Sequence, residues 1–178
     1  MSEADQLIHS WQHDILTAFA GAGIAHVSYI PDGGHKGLIQ LCERSNDIGT
    51  TVLTTEEEGI PLSAGLWLGG VKSALLMQSS GVGNCINMLT LAENCRFPLV
   101  MLITMRGEWG EFVPWQIPMG KRVEPVLDTM GVDTYRCERA EDVGPTTEAA
   151  IAHAYQSDRA VGVILAQRLI GAKNWSGK

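Results

Sequence analysis

Apolar and polar positions alternate along this chain in two distinct rhythms. Short, nearly continuous apolar runs predict strands at residues 26–30, 51–55, 73–77, 98–104, 133–138 and 160–167. Between them, apolar residues recur at helical spacing. Ile8, Trp11, Ile15 and Phe19 predict a helix over residues 1–22, closed by Gly21 and Gly23. Further helices are expected over 36–44, 56–68, 85–94, 117–130 and 141–157, the one over 85–94 carried by Cys85, Met88, Leu89 and Ala92. Residues 105–116 fit neither period. They hold Trp109, Phe112 and Trp115, and a loop this long is usually functional or a partner surface. Strand and helix alternate six times. The expected fold is therefore α/β: a three-layer sandwich with a six-stranded, mostly parallel sheet, helices on both faces and right-handed crossovers. At 178 residues the length prior gives a single domain, 1–178. The tail from 170 to 178 carries little pattern.

Three strand ends concentrate the unusual residues. After the second strand, Thr55 followed by Glu58 predicts a capping box, with Glu56, Glu57 and Glu58 crowding one helix start. Acids there suit the helix dipole, which accounts for one or two of them; a third is free for another task. After the third strand, Gln78–Asn84 is expected to be a loop whose Gly81 and Gly83 let a ligand approach beside a positive helix end. A Gly-x-Gly is equally the form of an ordinary tight turn. Pro31, Asp32, Gly33, Gly34 and His35 follow the first strand. Ligands of parallel sheets bind at strand carboxyl ends, although Asp-Gly-Gly also makes common turns. His9 and His13 stand four apart on the first helix, yet no third ligand is nearby, so a solvated face is the better reading.

Composition narrows the classes. Hydrophobic residues make up 45% and charged residues 19%, as in a globular protein. A net charge of -7 argues against a nucleic-acid partner. No apolar run approaches the roughly 20 residues of a membrane span, and the N-terminus lacks a signal-peptide pattern. Cys42, Cys85, Cys95 and Cys137 lack metal or redox spacing and read as reduced thiols of a cytoplasmic protein.

Several stretches together resemble one family. They are E-E-E-G, S-A-G-L-W-L-G-G, L-M-Q-S-S-G-V-G-N-C-I-N, the downstream R-G-E and Q-I-P-M-G, and the early P-D-G-G-H. They look like the pyrimidine-binding (PYR) domain of thiamine-diphosphate enzymes. The likeness is strongest to alpha subunits of sulfopyruvate decarboxylase and to the corresponding half of phosphonopyruvate decarboxylase.

The resemblance implies a carboxylate that shares a proton with N1′ of the cofactor's aminopyrimidine. In the family that acid lies nine residues before a glycine of the following helix. Gly65 matches that glycine, which points to Glu56, with Glu57 in reserve. The other implied cofactor contacts are Pro31, Gly81, Val82 and Asn84. Asp32, His35, Gln78 and Ser79 are implied for the substrate, a small anionic 2-oxo acid. Its charged group needs cations, for which His35, Lys36 and Arg106 are candidates. In many relatives a side chain occupies the position of Gly33 or Gly34. The family grips magnesium and diphosphate through Gly-Asp-Gly followed by Asn-Asn, and this sequence has neither in that context. The resemblance thus implies a beta subunit carrying the diphosphate-binding (PP) domain and its Mg2+, a hetero-oligomer, and no metal ligands on this chain. Residues 105–116 are the expected contact with that partner. The rival class is a non-catalytic module holding a nucleotide or phosphate at residues 79–84, which would have no need of Glu56.

Overall fold

The central strands form where the apolar runs predict them, because burial on both faces satisfies such runs. The second strand, expected buried over 51–55, instead covers Gly49–Val52 at the sheet edge and is mostly exposed. The computed structural model describes residues 10–171. Its strands are β1 (Ile24–Tyr29), β2 (Gly49–Val52), β3 (Lys72–Gln78), β4 (Leu99–Thr104), β5 (Asp133–Cys137) and β6 (Ala160–Leu165). They make one six-stranded sheet in the order β2-β1-β3-β4-β6-β5, with every pairing parallel.

Alternation along each central strand builds two cores. Leu76, Val100, Leu102, Val163 and Leu165 face one side with Ile15, Phe19, Leu38 and Ile151. Leu75, Met77, Met101, Ile103 and Ile164 face the other with Ile60, Leu89 and Leu127. Helices α1 (Trp11–Ala22), α2 (Lys36–Arg44) and α7 (Ala140–Ser157) cover the first face. The second is covered by α3 (Gly59–Leu68), α4 (Ser79–Cys95) and α6 (Val123–Thr129). The expected three-layer sandwich is present, and its sheet is wholly parallel.

Several boundaries differ from the sequence expectation. The first helix runs from Trp11, with Gly23 closing it at φ 73°; Ile8 and His9 lie outside the described residues, as do positions 172–178 of the tail. The expected 117–130 helix is two pieces, α5 (Gln116–Gly120) and α6. Pro125 suits the first turn of a new helix. Gly120 is pressed against the loop, where an added Cβ would overlap the Arg106 carbonyl oxygen. The last strand stops at Leu165, and Gln167–Ile170 is a short helix, α8.

The largest correction concerns residues 78–84. No loop is present there. Helix α4 starts at Ser79, directly after β3, so Gly81 and Gly83 lie in its first turns. Cys42, Cys85 and Cys137 are buried thiols, and Cys95 is exposed. No helix among the described residues is long and apolar enough to cross a membrane.

Candidate active site

From β1 the chain passes to β2 on one side of it and then crosses to β3 on the other. The carboxyl ends of β1 and β3 therefore flank the point where strand order reverses, the place where parallel sheets bind ligands. The unusual residues all gather at that end.

The three glutamates separate cleanly. They form a 3-10 turn, Glu56–Glu58, leading into α3. Glu58 reaches back to Thr54, accepting its N–H at 2.9 Å and its hydroxyl at 2.7 Å. The expected capping box is therefore absent: Thr55 is the N-cap but its side chain bonds no helix amide, and Glu58 pairs with Thr54 instead. The Thr54 hydroxyl and amide hold the Glu58 carboxyl below its ordinary range. Thr55 donates its hydroxyl to Glu57. Glu56 turns the other way, across to α4, where Asn84 Nδ2 donates to its Oε2 at 2.8 Å.

Gly81 makes that crossing possible. A Cβ at Gly81 would stand 2.5 Å from Cδ and 2.6 Å from Oε1 of Glu56, far inside van der Waals contact. The glycine therefore seats the Glu56 side chain. The sequence pattern had suggested a ligand in that place. Cys85, buried beneath, is pushed up to about 12, first by burial and then by the charges of Glu56 and Glu57. Val82, also expected to contact the cofactor, has its side chain buried in the core. Pro31 is exposed, bordering a shallow hollow with Asp32, Gly33 and Lys36.

The residues expected to touch substrate form an internal brace. Asp32 Oδ1 accepts from Gln78 Nε2 at 2.9 Å, while Oδ2 accepts from Thr104 Oγ1 at 2.6 Å and from the Gly34 amide at 3.0 Å. This one carboxylate ties together the ends of β1, β3 and β4. Burial pushes Asp32 up, but the bonds from Thr104 and Gln78, the His35 ring and the Gly34 amide outweigh it and hold the group low. Gln78 Oε1 also accepts from Ser80, one residue before Gly81, which links the brace to the Glu56 seat.

His35, unlike Asp32, is wholly enclosed. It is 0% exposed, and Nε2 lies 3.2 Å from the Met77 carbonyl and 3.0 Å from that of Leu102. Two carbonyl acceptors require the N–H at Nε2. Nδ1 is buried without a partner. Burial lowers the ring's pKa against the pull of Asp32 and the carbonyls, so it is neutral at pH 7. His35→Ala is therefore expected to cost roughly 2–4 kcal/mol of stability, as buried truncations that orphan polar groups do. Urea unfolding measures it; unchanged stability with weakened substrate binding would instead place His35 in the cleft.

Ser79 is also buried, its hydroxyl accepting the Arg106 amide at 3.1 Å. That engagement, with Glu56 filling the space at Gly81, removes the open phosphate loop which a nucleotide module would use. Arg106 is engaged too. Its Nε and NH2 donate to Glu111 at 2.5 and 2.7 Å, and Glu111 further accepts from Gly107, Val113 and Gln167. Lys36 is exposed at the start of α2.

The Arg106 bonds, opposed by burial and aided by the other donors, hold Glu111 at about 2, below its ordinary 4.5. A carboxyl depressed on folding stabilises the fold fully at neutral pH and loses that contribution as pH falls through its folded value. Glu111→Gln should lower the melting temperature at pH 7 and flatten its decline between pH 5 and pH 3. An acid limb as steep as in the wild type would assign the loss to other carboxyls, Asp32 first.

Gln167, read from sequence as a strand end, is 1% exposed and organises this loop. Its Oε1 accepts the amides of Glu108 and Trp109, and its Nε2 donates to Glu111. No local signal could reveal it, because its partners lie 56 to 59 residues away. Beside the anchored core of the loop, Phe112 and Trp115 are 53% and 76% exposed. A cavity of about 190 Å³ opens between Asp32, Gly33, Thr104, Arg106 and Ile170. A larger one of about 530 Å³ lies at the opposite end of the strands, by Trp67, Lys72 and Tyr155. The smaller one lies at the carboxyl ends of β1 and β4, near the switch point, although Glu56 is not part of its lining. No group of three potential metal-ligating side chains occurs among the described residues.

Comparison with known proteins shows a consistent likeness. No family model matches the chain. It is 32% identical over 151 residues to the sulfopyruvate decarboxylase subunit alpha of Methanocaldococcus jannaschii, covering 84% of this chain and 89% of the relative. It is 31% identical to the sulfopyruvate decarboxylase of Methanosarcina acetivorans over 83% of this chain, but only 38% of that longer protein. A phosphonopyruvate decarboxylase of Streptomyces viridochromogenes is 34% identical over 65% of this chain and 30% of its own length. Among solved structures, the fold matches a Mycobacterium smegmatis protein assigned as a thiamin diphosphate-dependent enzyme, with TM-score 0.68, 16% identity and 94% of this chain covered. It also matches a 2-oxoglutarate:ferredoxin oxidoreductase of Magnetococcus marinus, with TM-score 0.71, 15% identity and 95% covered. This chain spans 32% and 34% of those two, so each likeness concerns the fold of one part.

Proposed function

The chain belongs to the sulfopyruvate decarboxylase alpha-subunit family, and on that premise we propose that it is the PYR subunit of a thiamine-diphosphate-dependent 2-oxo acid decarboxylase. Sulfopyruvate is the leading substrate, giving sulfoacetaldehyde and carbon dioxide. Phosphonopyruvate is the second, favoured by the Streptomyces likeness.

One observation carries the reading: a carboxylate at a strand-end switch point, seated on a helical glycine and turned away from its two neighbours, which bond Thr54 and Thr55. Glu56 fits the aminopyrimidine. It receives one side-chain hydrogen bond, from Asn84, and keeps lone pairs for a ligand N–H. Val52 at the end of β2 and Ile86 on α4 are exposed apolar residues close in sequence to Glu56 and Asn84.

Thiamine diphosphate supplies the electron sink that a 2-oxo acid lacks. The reaction breaks the bond between C1 and C2 of the acid, releases carbon dioxide and places a proton on C2. This chain's part is to hold a proton at N1′ through Glu56. The Asp32–Gln78–Thr104 brace fixes the strand ends around the seat, and the folded 105–116 loop presents Phe112 and Trp115 to a partner. That partner is a beta subunit whose PP domain holds the diphosphate and Mg2+. With the Arg106 fork occupied by Glu111, the cations for the substrate's charged group are Lys36 of this chain and groups of the partner.

Reconstitution tests this. The purified chain alone should decarboxylate no 2-oxo acid, and activity should appear when the PP-domain chain, thiamine diphosphate and Mg2+ are added. Turnover by the isolated chain would overturn the division of labour. A nucleotide raising the melting temperature of the isolated chain would support the non-catalytic module instead.

A further inference from the structure

We propose that Asn84 is a positioning residue which acts on the reaction through Glu56, rather than a contact to the cofactor. The proposal rests on the reading of Glu56 given above.

Glu57 and Glu58 bind threonines of their own turn, whereas Glu56 is held from another element. The donor is Asn84, three residues after Gly81 and on the same face of α4. The two residues act on one side chain from two sides. Gly81 admits the Cδ and Oε1 end of Glu56, and Asn84 Nδ2 fixes Oε2 at 2.8 Å. A free glutamate samples many rotamers, and ordering it when the cofactor arrives would oppose the chemistry. Here it is ordered in advance.

The chemistry of the donor matters as much as its place. A carboxylate only accepts, so the Asn84 amide must present its NH2, and its orientation is determined. An uncharged donor steadies Oε2 without neutralising the carboxylate, which stays able to share a proton through Oε1. A lysine at this position would form an ion pair and oppose proton sharing; an aspartate would repel Glu56. Asn84 is itself exposed on α4, so its replacement leaves the core untouched.

A double-mutant cycle in the reconstituted enzyme tests this. Asn84→Ala should lower kcat by roughly 10- to 100-fold through loss of orientation, with cofactor Kd changed by less than about threefold. In a Glu56→Gln background, Asn84→Ala should cost nothing further. Equal, additive losses in both backgrounds would overturn the proposal, as would a loss of cofactor affinity that persists with Glu56→Gln. A second readout needs no cofactor. In the chain alone, the side-chain amide protons of Asn84 should shift in the NMR spectrum on Glu56→Ala and stay in place on Glu57→Ala. An Asn84 signal indifferent to Glu56→Ala would refute the contact. If Glu56→Gln has no effect on turnover, the reading of Glu56 itself fails and this proposal falls with it.

Discussion

Glu56→Gln should lower turnover of the reconstituted enzyme by roughly 100- to 10,000-fold, the range of general acid–base catalysis. Fold and cofactor affinity should be nearly unchanged. The amide is close to isosteric, and its oxygen can still accept from Asn84. Glu57 and Glu58 remain to serve the start of α3, where Glu58 makes both of its bonds to Thr54. What glutamine cannot do is exchange a proton with N1′. Steady-state kinetics beside thermal melts of each variant separate the effects. Glu58→Gln should show the reverse pattern, a small change in melting temperature with turnover retained.

Gly81→Ala should produce an enzyme at least as stable as the wild type with turnover down roughly 100-fold, the cost of a misplacement near 1 Å. Two effects run in opposite directions. Gly81 lies within α4, where alanine is favoured by about 1 kcal/mol. The added methyl would stand 2.5 Å from Glu56 Cδ, and a glutamate side chain can swing aside where backbone could not. The fold therefore survives and the carboxylate moves. Stability that falls sharply would mean the helix yields in place of Glu56. Wild-type turnover would mean that the seat seen here is not the working one.

The particular residues explain what was legible in the sequence. The strands were, because apolar runs such as Leu99–Thr104 have one stable placement, buried on both faces. Helix α2 appears over the residues its period predicts. The start of α4 was hidden. Two glycines and two serines after a strand look like a loop, yet β3 runs straight into the helix, and Gly81 is required by a side chain 25 residues earlier. The candidate site was legible in its location at the strand ends and less so in its roles. Asp32, His35 and Ser79 are polar residues at the right strand ends, but bonds to Thr104, Leu102 and Arg106 occupy them. Those partners are distant in sequence, and periodicity carries no record of them. Gln167 and Glu111 were missed for the same reason. The choice of Glu56 came from spacing within the resemblance; the structure adds the glycine seat and the Asn84 bond.

The central claim is that Glu56 of this chain activates a cofactor held mainly by a partner. Exchange of the C2 proton of thiamine diphosphate bound in the reconstituted complex, followed by deuterium quench, tests it most directly. The account predicts that exchange is fast in the wild type and in Glu57→Gln, and slowed at least about 100-fold in Glu56→Gln. Wild-type exchange in Glu56→Gln would contradict it, and if Glu57→Gln were then the slow variant, the carboxylate would be Glu57.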